Sequence, residues 1–136
     1  AIFRSCLLTA IQIGADPVLL RTRGAVLESA GLRVVSVDSV PPAVGIIRAG
    51  TFDVAILCHS LSRGDRLKLT AAIRRRNPSA LILLVTGGPG AYTAERDGMD
   101  AVLEPEPWRL LQRLRSILLP LRKEESGKCS PKAGQA

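Results

Sequence analysis

Residues 52–61, FDVAILCHSL, carry an apolar run into a cysteine and the chain's single histidine. A thiol beside an imidazole could serve as a nucleophile, a metal-ligand pair or a redox-responsive group. The first and last need a thiol pKa lowered by a cation or a helix N-terminus. Successive strand residues point to opposite faces, so in a regular strand Cys58 and His59 would not pair. A metal site there meets the same objection and has no further ligands nearby in sequence. Cys58 is then either an inert buried thiol or a redox-responsive one. Cys6, Cys58 and Cys129 are an odd number with no short spacing. That argues against a disulfide framework and a zinc finger, and fits a reducing compartment. The glycine-containing turns GADP (14–17) and TGGPG (86–90) have neither the lysine of a P-loop nor the glycine spacing of a dinucleotide fingerprint. Trp108, the only tryptophan, opens the last helix beside Pro107 as a packed cap or as a partner anchor rimmed by Arg109 and Arg113.

The elements that must hold these residues alternate between strand and helix. LLTAIQI (7–13) is strand-like, and Pro17 then opens a helix to Gly31 with Leu19, Leu20, Val26, Leu27 and Ala30 on one face. LRVVSVD (32–38) is a β-branched strand, and PPAVGIIRAG (41–50) a short helix between prolines and Gly50. FDVAILCHS (52–60) and ALILLVT (80–86) are continuous apolar runs, as expected of central strands buried on both faces. Between them DRLKLTAAIRRRNP (65–78) sets Leu67, Leu69, Ala72 and Ile73 at helical spacing and stops at Asn77-Pro78. A short polar helix follows at 91–99, then a weaker strand in DAVLEP. The last helix repeats Leu110, Leu111, Leu114, Ile117, Leu118 and Leu121 on one side, with Pro120 placed to end or kink it. Five strands alternating with five helices predict an α/β fold, a parallel sheet with helices on both faces. Ligands then belong at the carboxyl ends of the strands.

Composition narrows the class. A chain of 136 residues is one domain with a real core; 46% is apolar but only 3% aromatic, so that core is aliphatic and stacking platforms are scarce. No stretch approaches the roughly 20 apolar residues of a membrane span, and a cytoplasmic domain with no membrane partner is the expectation. The formal net charge of +7 fits solvated helix faces or a nucleic-acid surface. No aromatics interleave with RRR at 74–76, which weakens single-strand recognition.

Taken in order and spacing, IGADPVLLRTRGAVLESAG, FDVAILCHSL, RRRNPSALILLVTG and GMDAVLEPEPW resemble the receiver domain of two-component response regulators. The resemblance runs over residues 7–121 and leaves a short extension at 1–6 and a flexible basic tail at 122–136. It implies the flavodoxin-like, CheY-like sheet with strand order 2-1-3-4-5. The family's chemistry uses a phosphorylated aspartate, an acidic pair holding Mg²⁺, a hydroxyl and a lysine. Carried over by position, the phosphoacceptor is Cys58, and the acidic pair is Gly14 and Ala15, with Asp16 one step late. The hydroxyl is Thr86. The lysine falls on Glu104 or Pro105 and is lost, and the switch aromatic falls on Val102. The nearest carboxylates do not replace the aspartate: Asp53 begins its strand at the wrong end, and Asp65 reads as a cap or early-turn residue.

The resemblance therefore implies a degenerate pseudo-receiver with no enzymatic activity, cofactor or metal. It would act by phosphorylation-independent protein contact in a two-component or phosphorelay pathway. Expected partners are a histidine kinase, an output protein or a second copy in a homodimer. A basic nucleic-acid-associated domain and a redox switch at Cys58 stand as alternatives.

Overall fold

The computed structural model describes residues 8–86 and 98–120. The extension at 1–6, most of the helix expected over 91–99 and the tail at 122–136 lie outside them. Strands β1 (Leu8–Ile13), β2 (Leu32–Val37), β3 (Val54–Cys58), β4 (Leu81–Val85) and β5 (Ala101–Leu103) alternate with α1 (Pro17–Ser29), α2 (Val40–Ala49) and α3 (Arg63–Arg76). A fourth helix, α4, covers residues 107–120. The strands form one parallel sheet in the order β2-β1-β3-β4-β5.

Side-chain alternation along the central strands divides the core into two layers. Ile11, Ile13, Ala55, Leu57, Ile82 and Leu84 pack with Ala43 and Ile47 of α2 and Leu69 and Ile73 of α3. Leu8, Ala10, Val54, Ile56, Leu83 and Val85 pack with Leu27 of α1 and Leu110, Leu114 and Leu118 of α4. All five residues of β3 are buried, which is why its sequence shows no polar alternation. The edge strand β2 is buried only at Leu32 and Val37.

Local signals explain the ends. Asp16 is the N-cap of α1, with Pro17 in its first turn. Gly31 follows that helix with φ 91°, a conformation that favours glycine. The third helix begins at Arg63, two residues before the expected start, because the Ser62 hydroxyl accepts a hydrogen bond from the Asp65 amide at 3.1 Å. Its end is held by Arg74, which donates to the Ala80 carbonyl and pairs with Asp100 at 2.8 Å. Asp100 in turn accepts from the Ile82 amide, tying α3 to β4 and the start of β5.

Two apolar faces differ from expectation. Leu19 is 39% exposed, and the buried stripe of α1 is Leu20, Arg23, Gly24 and Leu27. Leu67 is also exposed, the inward stripe of α3 being Arg66, Leu69, Thr70 and Ile73. In both helices an arginine occupies an inward position that apolar spacing alone assigns to an aliphatic side chain.

Candidate functional site

The carboxyl ends of β1, β3 and β4 converge on Gly14, Cys58 and Thr86. Cys58 shares the side of the sheet taken by Val54 and Ile56, the side that α1 and α4 cover. There its sulfur accepts a hydrogen bond from Nη1 of Arg23, a buried side chain reaching in from α1. His59 follows with the opposite parity, its Nδ1 buried without a hydrogen-bond partner among the described residues. The adjacent thiol and imidazole are therefore not a pair.

Burial pushes the Cys58 thiol up from its ordinary pKa, and the Arg23 guanidinium pulls part of the way back. Desolvation is the larger effect, so the thiol stays protonated at neutral pH. Gly14 lies hard against it: a Cβ at that position would sit 2.7 Å from Cys58 Sγ and 2.9 Å from its Cβ. The first seat of the acidic pair is thus closed by the cysteine. Ala15 carries no acid, and its amide donates to the Ser60 hydroxyl at 3.0 Å. Asp16 spends Oδ1 on the amides of Val18 and Leu19, at 3.0 and 3.3 Å, as the cap of α1. Asp53 Oδ2 accepts from the Thr9 amide at the amino end of the sheet, away from this site.

The remaining positions are taken up in other contacts. Thr86 is buried, and its hydroxyl donates to the Leu103 carbonyl at 3.4 Å. Glu104 pairs with Arg109 at 3.0 Å, and Glu106 approaches the same guanidinium at 3.3 Å. Pro105 borders a small cleft with Leu19, Arg23, Val26 and Leu110. The cation that meets the end of β3 comes from α1, as Arg23. Sequence spacing missed Arg23. The available signal was an arginine in register with Leu20 and Leu27, at i+3 and i−4.

Mg²⁺ wants an octahedral set of oxygens, usually carboxylates. A glycine, an alanine, a capping aspartate, a thiol and an inward arginine do not supply one. Among the described residues no three His, Cys, Asp or Glu side chains gather as a metal site.

A second feature lies between β5 and α4. A groove of about 430 Å³ is lined by Val102, Glu104, Arg109, Gln112, Arg113 and Ser116. Beside Arg109 in the chain, Trp108 is 63% exposed, with the Arg109 guanidinium 5.7 Å from its ring centre. The tryptophan is therefore not a packed cap. Arg109 gives no unmatched positive rim either, since Glu104 and Glu106 bracket it.

No family model matches the chain, and no curated protein matches it significantly. Solved structures do. The CheY-like receiver domain protein from Methanospirillum hungatei aligns at 20% identity over 87% of this chain and 98% of its own, with a TM-score of 0.71. The chemotaxis response regulator CheY4 of Vibrio cholerae aligns at 18% identity over 82% and 99%, with a TM-score of 0.70. A pilus assembly-related protein from Burkholderia pseudomallei aligns at 21% identity over 89% and 92%, with a TM-score of 0.63. The chain has the fold of response-regulator receiver domains, with a thiol and an arginine at the end of its third strand.

Proposed function

We propose that this chain is a receiver-like signalling module that works through protein contact without being phosphorylated. The observation that carries the reading is the Arg23–Cys58 contact with Gly14 pressed against it. A carboxylate nucleophile and a metal-binding acid would both have to enter the space those groups fill. Among the described residues at the strand ends, the positions that would carry a metal-binding acid and a lysine do not supply them, because Asp16 caps a helix and the lysine positions hold Glu104 and Pro105. Burial that raises the thiol pKa favours an inert Cys58 over a redox switch.

The docking surface in this reading is the groove beside α4, anchored by the exposed Trp108. Large aromatic side chains with a mixed polar rim are the residues from which interface hot spots are built. The partners it suits are a kinase or output protein of a two-component or phosphorelay pathway. An amide NMR titration with beryllofluoride and Mg²⁺ tests the central claim. The expected result is no cluster of shifts; shifts gathered at residues 14–16, 58 and 86 would overturn it. On the same spectra, a candidate partner should move the signals of Trp108 and Gln112, and Trp108→Ala should weaken its binding at least about tenfold.

A further inference from the structure

The positive charge of the described residues is not spread evenly along them. Residues 8–39 carry three basic and three acidic side chains, and residues 98–120 again three of each. Residues 40–80, which contain α2, β3 and α3, carry seven basic against two acidic, and residues 81–86 carry none. The whole excess of the described residues therefore belongs to one segment, and the layer it builds is the α2/α3 side of the sheet.

Four of the five exposed cations in that segment are clustered. Lys68, Ala72, Arg75 and Arg76 follow at i, i+4, i+7 and i+8, a single stripe of α3. Arg48 of α2 joins them around a dent of about 150 Å³, lined by Arg48, Ala72, Arg75 and Arg76. The alanine at its floor is what leaves the hollow between the arginines. Arg76 Nε donates to the Gly50 carbonyl at 2.9 Å, which holds its guanidinium toward the end of α2. Among the described residues, Arg48, Lys68 and Arg75 lie within ion-pair distance of no carboxylate. Arg48, Arg75 and Arg76 lie in the last turns of their helices, where the macrodipole favours cations. That accounts for single arginines at each end. It does not account for a stripe that begins two turns earlier at Lys68, nor for the lack of balancing acids.

We infer that this α2/α3 surface binds the phosphate backbone of duplex nucleic acid without reading its bases. The inference is independent of docking through α4, which lies in the opposite layer. The side chains present select the partner. A protein hot spot needs aromatic or large aliphatic anchors, and the only exposed large apolar residue on α2 or α3 is Leu67. Single strands reward stacking platforms, and α2 and α3 contain no aromatic residue. What remains is a row of cations, which phosphates reward through counterion release.

The test is fluorescence anisotropy of a labelled duplex of arbitrary sequence with the full chain, in salt from about 50 to 200 mM. The comparison protein carries Arg48→Glu, Lys68→Glu and Arg75→Glu; all three side chains are exposed, and superimposable thermal melts establish that it folds. A control carries Arg113→Glu and Arg115→Glu on α4. The expected result is wild-type binding with a log–log salt slope of about −3 to −4, retained in the control. The triple variant should bind at least about tenfold more weakly, its slope shallower by about three. Absence of wild-type binding, equal loss in the control, or an unchanged triple variant would each overturn the inference. So would binding to phosphatidylserine vesicles with no binding to the duplex.

Discussion

The two faces of this sheet share an architecture and differ in almost everything a partner would meet. On the α1/α4 side, Glu104 and Glu106 bracket Arg109, the exposed large apolar residues are Val18, Leu19, Trp108 and Leu119, and an arginine turns inward to a thiol. On the α2/α3 side, Arg48, Lys68 and Arg75 are exposed with no described carboxylate in ion-pair range, and most of the large apolar residues are inside. Strand parity is what permits this independence. Ile56 and Leu57 are neighbours in the chain, yet one belongs to each layer, so each face can be altered without rewriting the other. Arginine has two parts: each side turns one inward, Arg23 on α1 and Arg66 on α3, and the α2/α3 side also displays several outward. Arg23 fills space at the strand ends, whereas Arg48 and Arg75 leave a hollow between them.

The largest test of that independence cuts one layer alone. Leu114, fully buried against the α1/α4 side, should cost about 2–5 kcal/mol when changed to alanine, read by urea denaturation. Because the α2/α3 surface rests on other contacts, Leu114→Ala protein that is still folded should keep its affinity for duplex DNA. A smaller effect is expected at the strand ends. Gly14→Ala places a methyl group against Cys58 and should cost about 1–3 kcal/mol by overpacking. Adding Cys58→Ala removes the closer of the two contacts and should recover part of that loss. Full additivity of the two changes would mean the strand ends relax more than their spacing indicates.

The smallest effect is a pH dependence. A thiol whose pKa is raised on folding keeps its proton in the native state after the unfolded chain has lost it. The unfolded state then binds fewer protons, so stability falls as pH rises. The decline should begin near the free-thiol range, about pH 8.5. Wild type and Cys58→Ala compared from neutral to alkaline pH should show the extra slope only where Cys58 is present. A wild-type curve that runs parallel to the variant's would mean that Arg23 fully offsets the cost of burial.

Much of the fold was legible because its signals are local. The runs at 54–58 and 81–85 are apolar without interruption, and proline, glycine and serine mark most helix ends within two residues. The residue types at 14, 15 and 58 were legible, since glycine, alanine and cysteine cannot do the work of carboxylates. What those residues do instead was not. Asp16 looks like a displaced metal ligand until its oxygen is found on two helix amides. Leu19 looks like core until α1 is docked, because the consecutive Val18, Leu19 and Leu20 cannot all face the sheet. Arg109 looks like an unmatched cation until Glu104 and Glu106 are found beside it.

The amino-acid sequence by itself determined a parallel α/β sheet, the absence of a carboxylate at residue 58 and the excess of cations in residues 40–80. Periodicity, turn chemistry and charge need no partner from far along the chain. Only the tertiary structure decided that Arg23 meets Cys58 across 35 positions, that Gly14 is closed by the same sulfur, and that Arg48 and Arg75 share one hollow. Those relations depend on how helices rotate as they pack onto the sheet. That rotation is set by the fit of the whole core and not by any single segment.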